Sequence, residues 1–360
     1  MAAQSSPGAS APLYPHRQHQ HLRQRPASPQ YAEHIPHRRP RWGGNEGDFS
    51  GIARDGLLVG RVEQPLLVEL LLELFKGHME VPHAVGGQLT TVELILPVPW
   101  KDRYPAKGHH LHAVFRLLIM VDAAKRASAR SVSAVVAHYG YARQDRKAAP
   151  REPITAKLVA DLMAASGVDN VITIDLHQDA IQGFFDLPVN HMTAMPIFVD
   201  YFQSMGLDKD KLCVVSPDVG RAKAAKKFST MLDCDIAIMH KDRPKHNQAE
   251  ITALIGNVHG KVCILNDDMI DTAGSLVAAA TTLKAKGAEK VYACATHGLF
   301  SGPAYERIAN SSIEEVVVTN AVPVPLERQT GKVKVLSVGP LFAKTISNVY
   351  NNGSVASLFE

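Results

Sequence analysis

The chain has 360 residues, which exceeds one typical hydrophobic core and favours two domains. Its net charge is +4 at pH 7, and its apolar and charged fractions of 46% and 21% are those of an ordinary globular protein. No uninterrupted apolar run reaches the roughly 18 residues that cross a bilayer, so we expect no membrane partner.

The positive charge is concentrated in residues 1–42, which hold six arginines, five histidines and a single acid, Glu33. Without this segment the chain is nearly neutral, so we expect no nucleic-acid partner. Its Pro, Gln, His and Arg content predicts a disordered tail over residues 1–48. Two alternatives stay open: an Arg-rich, acid-poor organelle transit segment, and a metal-binding tail, for which the histidines lack ligand spacing. We expect a cytoplasmic protein, or an organellar one if the tail is a transit segment.

Residues 43–112 show two local patterns and no catalytic motif. The run at 66–74 is apolar and helix-like, whereas residues 100–112 are basic and rich in turn formers. Neither pattern indicates a chemistry.

An alternation of strand-like and helix-like segments begins near residue 132. The strand-like runs, rich in β-branched residues, are 132–137, 171–175, 212–216, 236–239, 262–265, 291–295 and 316–318. Amphipathic stretches occupy 154–165, 221–232 and 276–286. Gly167 and Gly287 predict helix ends. Strands that alternate with helices predict parallel sheets covered on both faces.

An internal similarity indicates two related halves. The segment from Gly167 to His177 and the segment from Gly287 to His297 share Gly, an acid, Val and His at matching offsets, 120 residues apart. In each segment a predicted helix end leads into a strand that ends on a histidine. We therefore expect two similar α/β halves.

The four cysteines predict a reducing compartment. Cys213, Cys263 and Cys294 lie inside apolar runs, and Cys234 lies among acids at the start of a fourth run. None shows the C-x-x-C spacing of a metal site. We expect buried, reduced thiols.

Residues 261–275 carry the strongest functional pattern. An apolar strand ends on the paired acids Asp267 and Asp268, and a turn of small residues from Asp271 to Ser275 leads into a predicted helix. A helix N-terminus offers unpaired N–H groups and partial positive charge, so it binds phosphate. Paired acids at the carboxyl edge of a strand suit sugar hydroxyls or hydrated Mg²⁺. The loop therefore predicts a ribose 5-phosphate site.

Two other interpretations of this loop stay open. One is a capped helix with solvated acids, since Asp271 and Thr272 are good capping residues. The other is the D-D-x-x-D metal motif of prenyl-transferring enzymes. That motif lies on a helix face, however, whereas these acids follow a β-run.

The nine residues from Asp267 to Ser275 resemble the phosphoribosyl-diphosphate loop of type I phosphoribosyltransferases and ribose-phosphate pyrophosphokinases. Other segments resemble only the pyrophosphokinases: Tyr-Gly-Tyr-Ala-Arg-Gln-Asp-Arg-Lys at 139–147, Asp-Leu-His at 175–177 with Ile-Gln-Gly-Phe-Phe-Asp at 181–186, Ser-Pro-Asp at 216–218, and Lys-Asp-Arg-Pro-Lys at 241–245. The resemblance extends from about Leu117 to the C-terminus, whereas residues 1–116 do not resemble the family.

This resemblance implies an α/β fold of two type I phosphoribosyltransferase-like domains, each a mainly parallel sheet flanked by helices. The implied domains are an ATP-binding domain over 50–192, a ribose 5-phosphate-binding domain over 193–343, and a segment at 344–360 that packs back on the first domain. The implied reaction transfers the diphosphoryl group of Mg-ATP to O1 of ribose 5-phosphate, with Mg²⁺ as cofactor. A homo-oligomer of dimers grouped into a hexamer is also implied, with inorganic phosphate and ADP as effectors.

The resemblance also assigns roles to individual residues. The ATP-binding residues would be Arg143, Gln144 and Asp145, and the metal ligands would be His177, Asp218, Asp175 and Asp186. The ribose 5-phosphate residues would be Arg243, Asp267, Asp268, Asp271, Thr272, Ala273, Gly274 and Ser275. Lys241 and Arg243 are the implied catalytic residues, on a polar loop that we expect to be mobile and to close over the transferred group. Taken alone, residues 143–146 and 241–247 would be interpreted as solvated charged loops.

The chain departs from the family pattern at three places. It lacks the Phe-x-Asp-Gly-Glu segment that holds the adenine of a neighbouring subunit, it has Asn190 where an acid is usual, and it has Asn266 where an apolar residue is usual. The missing segment favours an alternative function, a non-catalytic regulatory homologue that assembles with active subunits. A phosphoribosyltransferase is the third interpretation, against which the segments at 143–146 and 175–177 argue.

Overall fold

A computed structural model describes the backbone of residues 51–52, 57–59, 91–95, 109–245, 248–329 and 331–358, and the side chains of 113–240, 253–329 and 331–358. All of these described residues belong to one compact unit. The predicted tail at 1–48 and the apolar run at 66–74 lie outside the described residues. Among the described helices, none is long and apolar enough to cross a membrane.

The first sheet is built from the N-terminal part of the described chain. Its strands are β1 Gly51–Ile52, β2 Leu57–Val59, β3 Thr91–Ile95, β4 Ser131–Val136, β5 Asn170–Ile174 and β6 Val189–Met192, in that spatial order. The strands from β3 to β6 are parallel, and β1 to β3 are antiparallel. Helices α1 His109–Arg126 and α2 Thr155–Ser166 pack on one face of this sheet.

The second sheet follows in sequence. Its strands are β7 Leu212–Ser216, β8 Asp235–Lys245, β9 Gln248–Ile255, β10 Val262–Ile270, β11 Lys290–Gly298, β12 Glu315–Thr319 and β13 Val333–Leu336, in the spatial order β13-β12-β11-β10-β7-β8-β9. All neighbours are parallel except the β8–β9 hairpin. The remaining α-helices are α3 Met195–Ser204, α4 Ala222–Leu232, α5 Gly274–Ala285, α6 Ala304–Ala309 and α7 Gly339–Tyr350. Two mainly parallel sheets flanked by helices confirm the predicted α/β fold.

Most predicted elements agree with the structure to within a few residues. Gly167 ends α2 in the left-handed conformation, with φ of 100°, and its N–H donates to carbonyls of the last turn. Gly287 likewise has φ of 88° just beyond α5. A residue without Cβ adopts this conformation at little cost, which is why both glycines mark helix ends.

Two predicted boundaries are wrong, because strand pairing extends the strands beyond their apolar runs. The segment 241–247 was predicted to be a loop, but residues 241–245 belong to β8, which continues to Lys245 by pairing with β9. Likewise, β10 does not end on the paired acids, since it pairs with β11 at Met269 and Ile270 and ends at Ile270. Neighbouring backbone, and not hydrophobicity alone, decides where a strand ends.

The described residues form three core clusters, and one of them contains side chains from both sheets. Alternate residues of β4 point to opposite faces, so that Val132 and Ala134 pack on α1 and α2 whereas Val135 faces the second half. Phe202 of α3 and Phe342 of α7 fill this shared core, and both are fully buried. Burying each such side chain contributes about 1.5–3 kcal/mol.

The C-terminal helix reaches the first sheet. The Thr345 hydroxyl donates to the Met192 sulfur across 2.7 Å, and Ile346 belongs to the shared core. The predicted division at residue 192 falls between β6 and α3, and assignment of separate substrates to the two halves stays a prediction. The cysteines are free thiols; Cys213, Cys263 and Cys294 are buried as predicted, whereas Cys234 is half-buried.

Candidate active site

The acids of β10 and the turn after it form one edge of the second sheet. Asp267 is half-buried and Asp268 is 3% exposed. The chain then turns through residues 271–273 and starts α5 at Gly274. Because parallel strands present their carboxyl ends at one edge of a sheet, this edge is the usual position of an α/β binding site.

Ala273 adopts the left-handed conformation, with φ of 58°, directly before α5. A non-glycine residue in this region costs about 1–2 kcal/mol, so the surrounding structure must hold it there. The Ser301 N–H donates to the Asp271 carbonyl at 2.9 Å, and the Arg307 guanidinium donates to the Thr272 carbonyl at 3.0 Å. These contacts fix the turn, and backbone strain of this kind concentrates at functional sites.

A contact between the two halves lies at the centre of this edge. His177 Nδ1 lies 2.7 Å from Asp268 Oδ2, and the two residues are 91 positions apart in the chain. The hydrogen bond to Asp268 raises the pKa of His177, although burial opposes this. Burial would raise the pKa of Asp268, but the hydrogen bond from His177 and the positive charge of Arg221 outweigh it and hold that pKa well below its usual range. The pair is therefore a charged or strongly polar link between the sheets.

Asp267 has a different environment from its neighbour. Burial and the adjacent Asp268 charge raise the pKa of Asp267. Arg221 Nε lies 3.9 Å from Asp267 Oδ1, and this Nε is buried with no hydrogen-bond partner among the described residues. The Arg221 guanidinium is therefore the neighbouring positive charge that offsets the two acids.

A second contact joins the segment at 139–147 to the turn after β10. Arg143 Nη1 lies 3.6 Å from Asp271 Oδ2, and both side chains are more than one third exposed. Such an exposed ion pair adds little stability. It does show that the two predicted binding segments face each other across the site.

Asp175 stabilises the turn between the end of β5 and His177. Its carboxylate Oδ2 accepts hydrogen bonds from the Ala194 N–H at 2.8 Å and from the Thr296 hydroxyl at 2.6 Å. Its own backbone has φ of 41°, and its carbonyl lies 3.0 Å from His297 Nε2. Asp175 thus ties β5 to β11 through side chain and backbone together.

Comparison with known proteins identifies the family. A model of the N-terminal domain of ribose phosphate pyrophosphokinase matches residues 106–167, and a model of the phosphoribosyl synthetase-associated domain matches residues 244–360. Ribose-phosphate pyrophosphokinases from Fusobacterium nucleatum and Clostridium perfringens are 50% and 53% identical over 246 and 248 residues, which cover 68% and 69% of this chain and 78% of each relative. The chain belongs to the ribose-phosphate pyrophosphokinase family.

A solved structure agrees with this assignment. Phosphoribosylpyrophosphate synthetase from Mycobacterium smegmatis superimposes with a TM-score of 0.66 at 36% identity, covering 82% of this chain and 98% of that chain. The predicted resemblance is therefore confirmed, and the N-terminal family model begins at residue 106, somewhat before the predicted start at Leu117.

The structure of this chain brings some of the predicted site residues together and separates others. His177, Asp268, Asp271 and Arg143 meet, as described above. Gln144 is exposed, and its backbone carbonyl accepts from the Ala156 N–H at 3.2 Å, whereas Asp145 is half-buried and its charge acts on His177. Thr272 and Ser275 are exposed at the start of α5. The side chains of Lys241 and Arg243 lie outside the described residues.

The four predicted metal ligands do not form one cluster. Asp218 Oδ1 accepts from the Arg221 N–H at 3.1 Å, and Asp186 is 86% exposed with Lys157 Nζ 3.9 Å away. The Asp175 carboxylate accepts hydrogen bonds from the Ala194 N–H and the Thr296 hydroxyl. Within the described part of the chain, no group of three or more His, Cys, Asp or Glu side chains is arranged to hold a metal by itself. Mg²⁺ usually takes one or two protein carboxylates and completes its shell with waters and substrate phosphates. The donors at Asp267 and Asp268 fit that pattern.

The two asparagines that depart from the family pattern, Asn190 and Asn266, each contact a residue of a neighbouring strand. The Asn190 amide donates to Asn170 Oδ1 at 2.8 Å, so it faces a neighbouring strand. The buried Asn266 amide donates to Cys294 Sγ at 3.4 Å, and these two residues are paired in the β10–β11 register. The Cys294 thiol satisfies only the amide nitrogen, because Asn266 Oδ1 is buried with no hydrogen-bond partner among the described residues.

Sequence reasoning missed Arg221, Thr296 and the role of His297. Arg221 lies three positions after Asp218 of the Ser-Pro-Asp segment, which was the available signal. Thr296 directly precedes His297. The internal similarity between the two halves included His297 but gave it no role. Their contacts join distant segments, so no local pattern reports them.

Proposed function

We propose that this chain transfers the β,γ-diphosphoryl group of Mg-ATP to O1 of ribose 5-phosphate, giving 5-phosphoribosyl 1-diphosphate and AMP. The O1 oxygen attacks the β-phosphorus, the bond from this phosphorus to the oxygen bridging the α-phosphate breaks, and AMP leaves with that oxygen. The O1 proton is released to solvent. No protein nucleophile takes part, so the residues act by positioning and by stabilising charge.

The observation that carries this proposal is the His177–Asp268 contact of 2.7 Å. It joins the Asp-Leu-His segment of the first half to the paired acids of the second. Arg143 and Asp271 meet nearby at 3.6 Å. A nucleotide on one half and a sugar phosphate on the other would then face each other across a single edge, as group transfer requires.

The ribose 5-phosphate site is proposed on the turn after β10. The N–H groups at the start of α5, with the hydroxyls of Thr272 and Ser275, suit the 5-phosphate. Gly274 leaves room there, since a Cβ would approach Arg307 Nη1 to 3.2 Å. Asp267 and Asp268 suit the ribose hydroxyls or a cation, because their charge excludes a direct phosphate contact.

The nucleotide site is proposed on the first half, with Arg143 toward phosphate oxygens and Gln144 toward the base. Asp145 and His177 would lie beside the phosphates. Bound Mg²⁺ would neutralise charge on the phosphate oxygens, held from the protein side by the acids of β10 and by His177, with Asp218, Asp175 and Asp186 as the more distant candidates.

Lys241 and Arg243 are proposed as the residues that stabilise the transferred group. Their backbone lies on β8, where Lys241 pairs with Ile251 of β9. Because β8 is parallel to β7, its carboxyl end extends from the same edge as Asp267 and Asp268. Cations at this edge stabilise the charge that develops on the phosphoryl oxygens.

The compartment, oligomeric state and effectors of the enzyme are proposed from its family. We expect a cytoplasmic homo-oligomer of dimers grouped into a hexamer, with inorganic phosphate and ADP as effectors. Residues 1–48 would change the compartment if they act as a transit segment.

The test is to follow AMP formation from ATP, ribose 5-phosphate, Mg²⁺ and inorganic phosphate. We expect AMP only when ribose 5-phosphate is present, and none from Lys241→Ala. ATP binding without AMP formation by the folded wild type would favour the regulatory alternative. Release of pyrophosphate that depends on an added base would favour a phosphoribosyltransferase.

A further inference from the structure

His191 lies next to the corner that carries His177, and neither motif nor resemblance assigned it a role. It lies on β6, where its backbone is paired with Thr173 of β5. The side chain is 14% exposed. A buried histidine on a strand is ordinary, so its contacts decide whether it does more.

The His191 imidazole takes over a backbone hydrogen bond that the sheet no longer supplies. Strand β5 ends at Ile174, and the Asp175 N–H still donates to the Met192 carbonyl of β6 at 3.0 Å before the chain turns at Asp175, with φ of 41°. The next N–H, that of Leu176, donates to His191 Nε2 at 2.9 Å. The residue after Leu176 is His177, whose ring reaches Asp268 at 2.7 Å.

This hydrogen bond requires one protonation state of His191. Because Nε2 accepts from a backbone N–H, the ring must be neutral with its proton on Nδ1, which lies 3.8 Å from the Asp179 carboxylate. Burial lowers the pKa of His191, against the charges of Asp175 and Asp179, and so favours the neutral ring.

We propose that His191 is a positioning residue for the diphosphoryl transfer: it fixes the backbone at Leu176 and thereby aims the His177 ring at Asp268. The hydrogen bond of its ring goes to Leu176, on its own half of the molecule. His191 therefore affects the reaction indirectly, through the backbone of Leu176 and the ring of His177. This inference rests on the proposed function for its kinetic consequence, but its geometric part can be measured without turnover.

The decisive experiment compares a variant that keeps a hydrogen-bond acceptor at position 191 with a variant that removes it. His191→Phe keeps a flat ring without an acceptor. His191→Gln places a carbonyl oxygen near the position of Nε2 and can still accept from Leu176. His259→Gln is the matched control, because His259 is exposed in the turn before β10. If His191→Phe does not fold, His191→Leu replaces it as the smaller variant without an acceptor.

We expect His191→Phe to lose about 10-fold to 100-fold in kcat/KM, the usual range for residues that orient a functional side chain. His191→Gln should retain most of the activity, and His259→Gln should match the wild type. Equal losses in His191→Phe and His191→Gln would overturn the proposal, as would full activity in both.

A spectroscopic readout separates positioning from general damage. In protein labelled with ¹⁵N-histidine, the His177 Nδ1 signal, assigned through His177→Gln, reports its hydrogen bond to Asp268. We expect this signal to shift in His191→Phe and to keep its wild-type position in His191→Gln. An unchanged His177 signal in folded His191→Phe would overturn the inference. If the wild type formed no AMP, the proposed reaction would fail while this measurement would still decide the role of His191.

Discussion

The Thr296 hydroxyl donates to Asp175 Oδ2 across 2.6 Å, joining β11 of the second sheet to the end of β5 in the first. The same carboxylate oxygen accepts from the Ala194 N–H at the start of α3. One side chain therefore connects both sheets and the helix between them, immediately before His177.

Replacing Thr296 with Val should lower the free energy of unfolding by about 1–3 kcal/mol, because the half-buried Asp175 carboxylate loses one of its hydrogen-bond donors. Activity should fall as well, since the corner before His177 loosens. Urea denaturation and AMP formation measure the two effects. Thr281→Val is the control, because the exposed Thr281 hydroxyl donates to the Val277 carbonyl of its own helix. Equal stability of the two variants would contradict this role of Asp175.

The His177–Asp268 pair should make stability depend on pH. The pKa of His177 is raised above 6.5 in the folded protein by its hydrogen bond to Asp268. A raised folded pKa adds stability that is fully present below the unfolded pKa and is lost as the pH rises through the folded one. The wild type should therefore exceed His177→Gln in stability most strongly below pH 6.5, with the difference shrinking at higher pH. Urea denaturation over this range tests the sign, and a difference that grows with pH would refute it.

Arg221→Met should weaken binding at the paired acids, because the positive charge 3.9 Å from Asp267 is lost. We expect the KM for ribose 5-phosphate to rise about 10-fold, as for the loss of one charged interaction. Arg221→Lys should recover part of the loss. Lys223→Met, on an exposed position of the helix that follows Arg221, is the control. An unchanged KM and an unchanged Mg²⁺ requirement in Arg221→Met would remove Arg221 from the site.

The shared core should make the two halves unfold together. Phe202 is fully buried in the core cluster shared with Val135 of the first half, and its ring centroid lies 6.3 Å from that of Phe228 and 6.2 Å from that of Tyr292. Phe202→Ala should cost about 3–5 kcal/mol, and calorimetry should show one transition at a lower temperature. Phe115→Ala, at a half-exposed position of α1, should have a much smaller effect. Two separate transitions in the wild type would show that the halves do not share stability.

Local patterns predicted much of this fold. The β-branched runs predicted β4, β5, β7, β10, β11 and β12, and the glycines at 167 and 287 predicted helix ends, because these features depend on side-chain burial and backbone conformation within a few residues. The ends of β8 and β10 were not predictable in the same way. Polar residues such as Asp267, which pairs with Ala295, stay in a strand when a neighbouring strand supplies hydrogen bonds, and that neighbour is distant in sequence.

The sequence by itself determined the family, the α/β class and the residue types of the site, since the acidic pair, the small-residue turn and the Arg-Gln-Asp-Arg segment are each contiguous. The tertiary structure decided which of these residues meet. His177 faces Asp268, Arg221 balances Asp267, and Asp175 accepts hydrogen bonds from Thr296 and Ala194. Most of these contacts join segments that are tens of residues apart, so their geometry depends on how two sheets pack on one core and not on any local propensity.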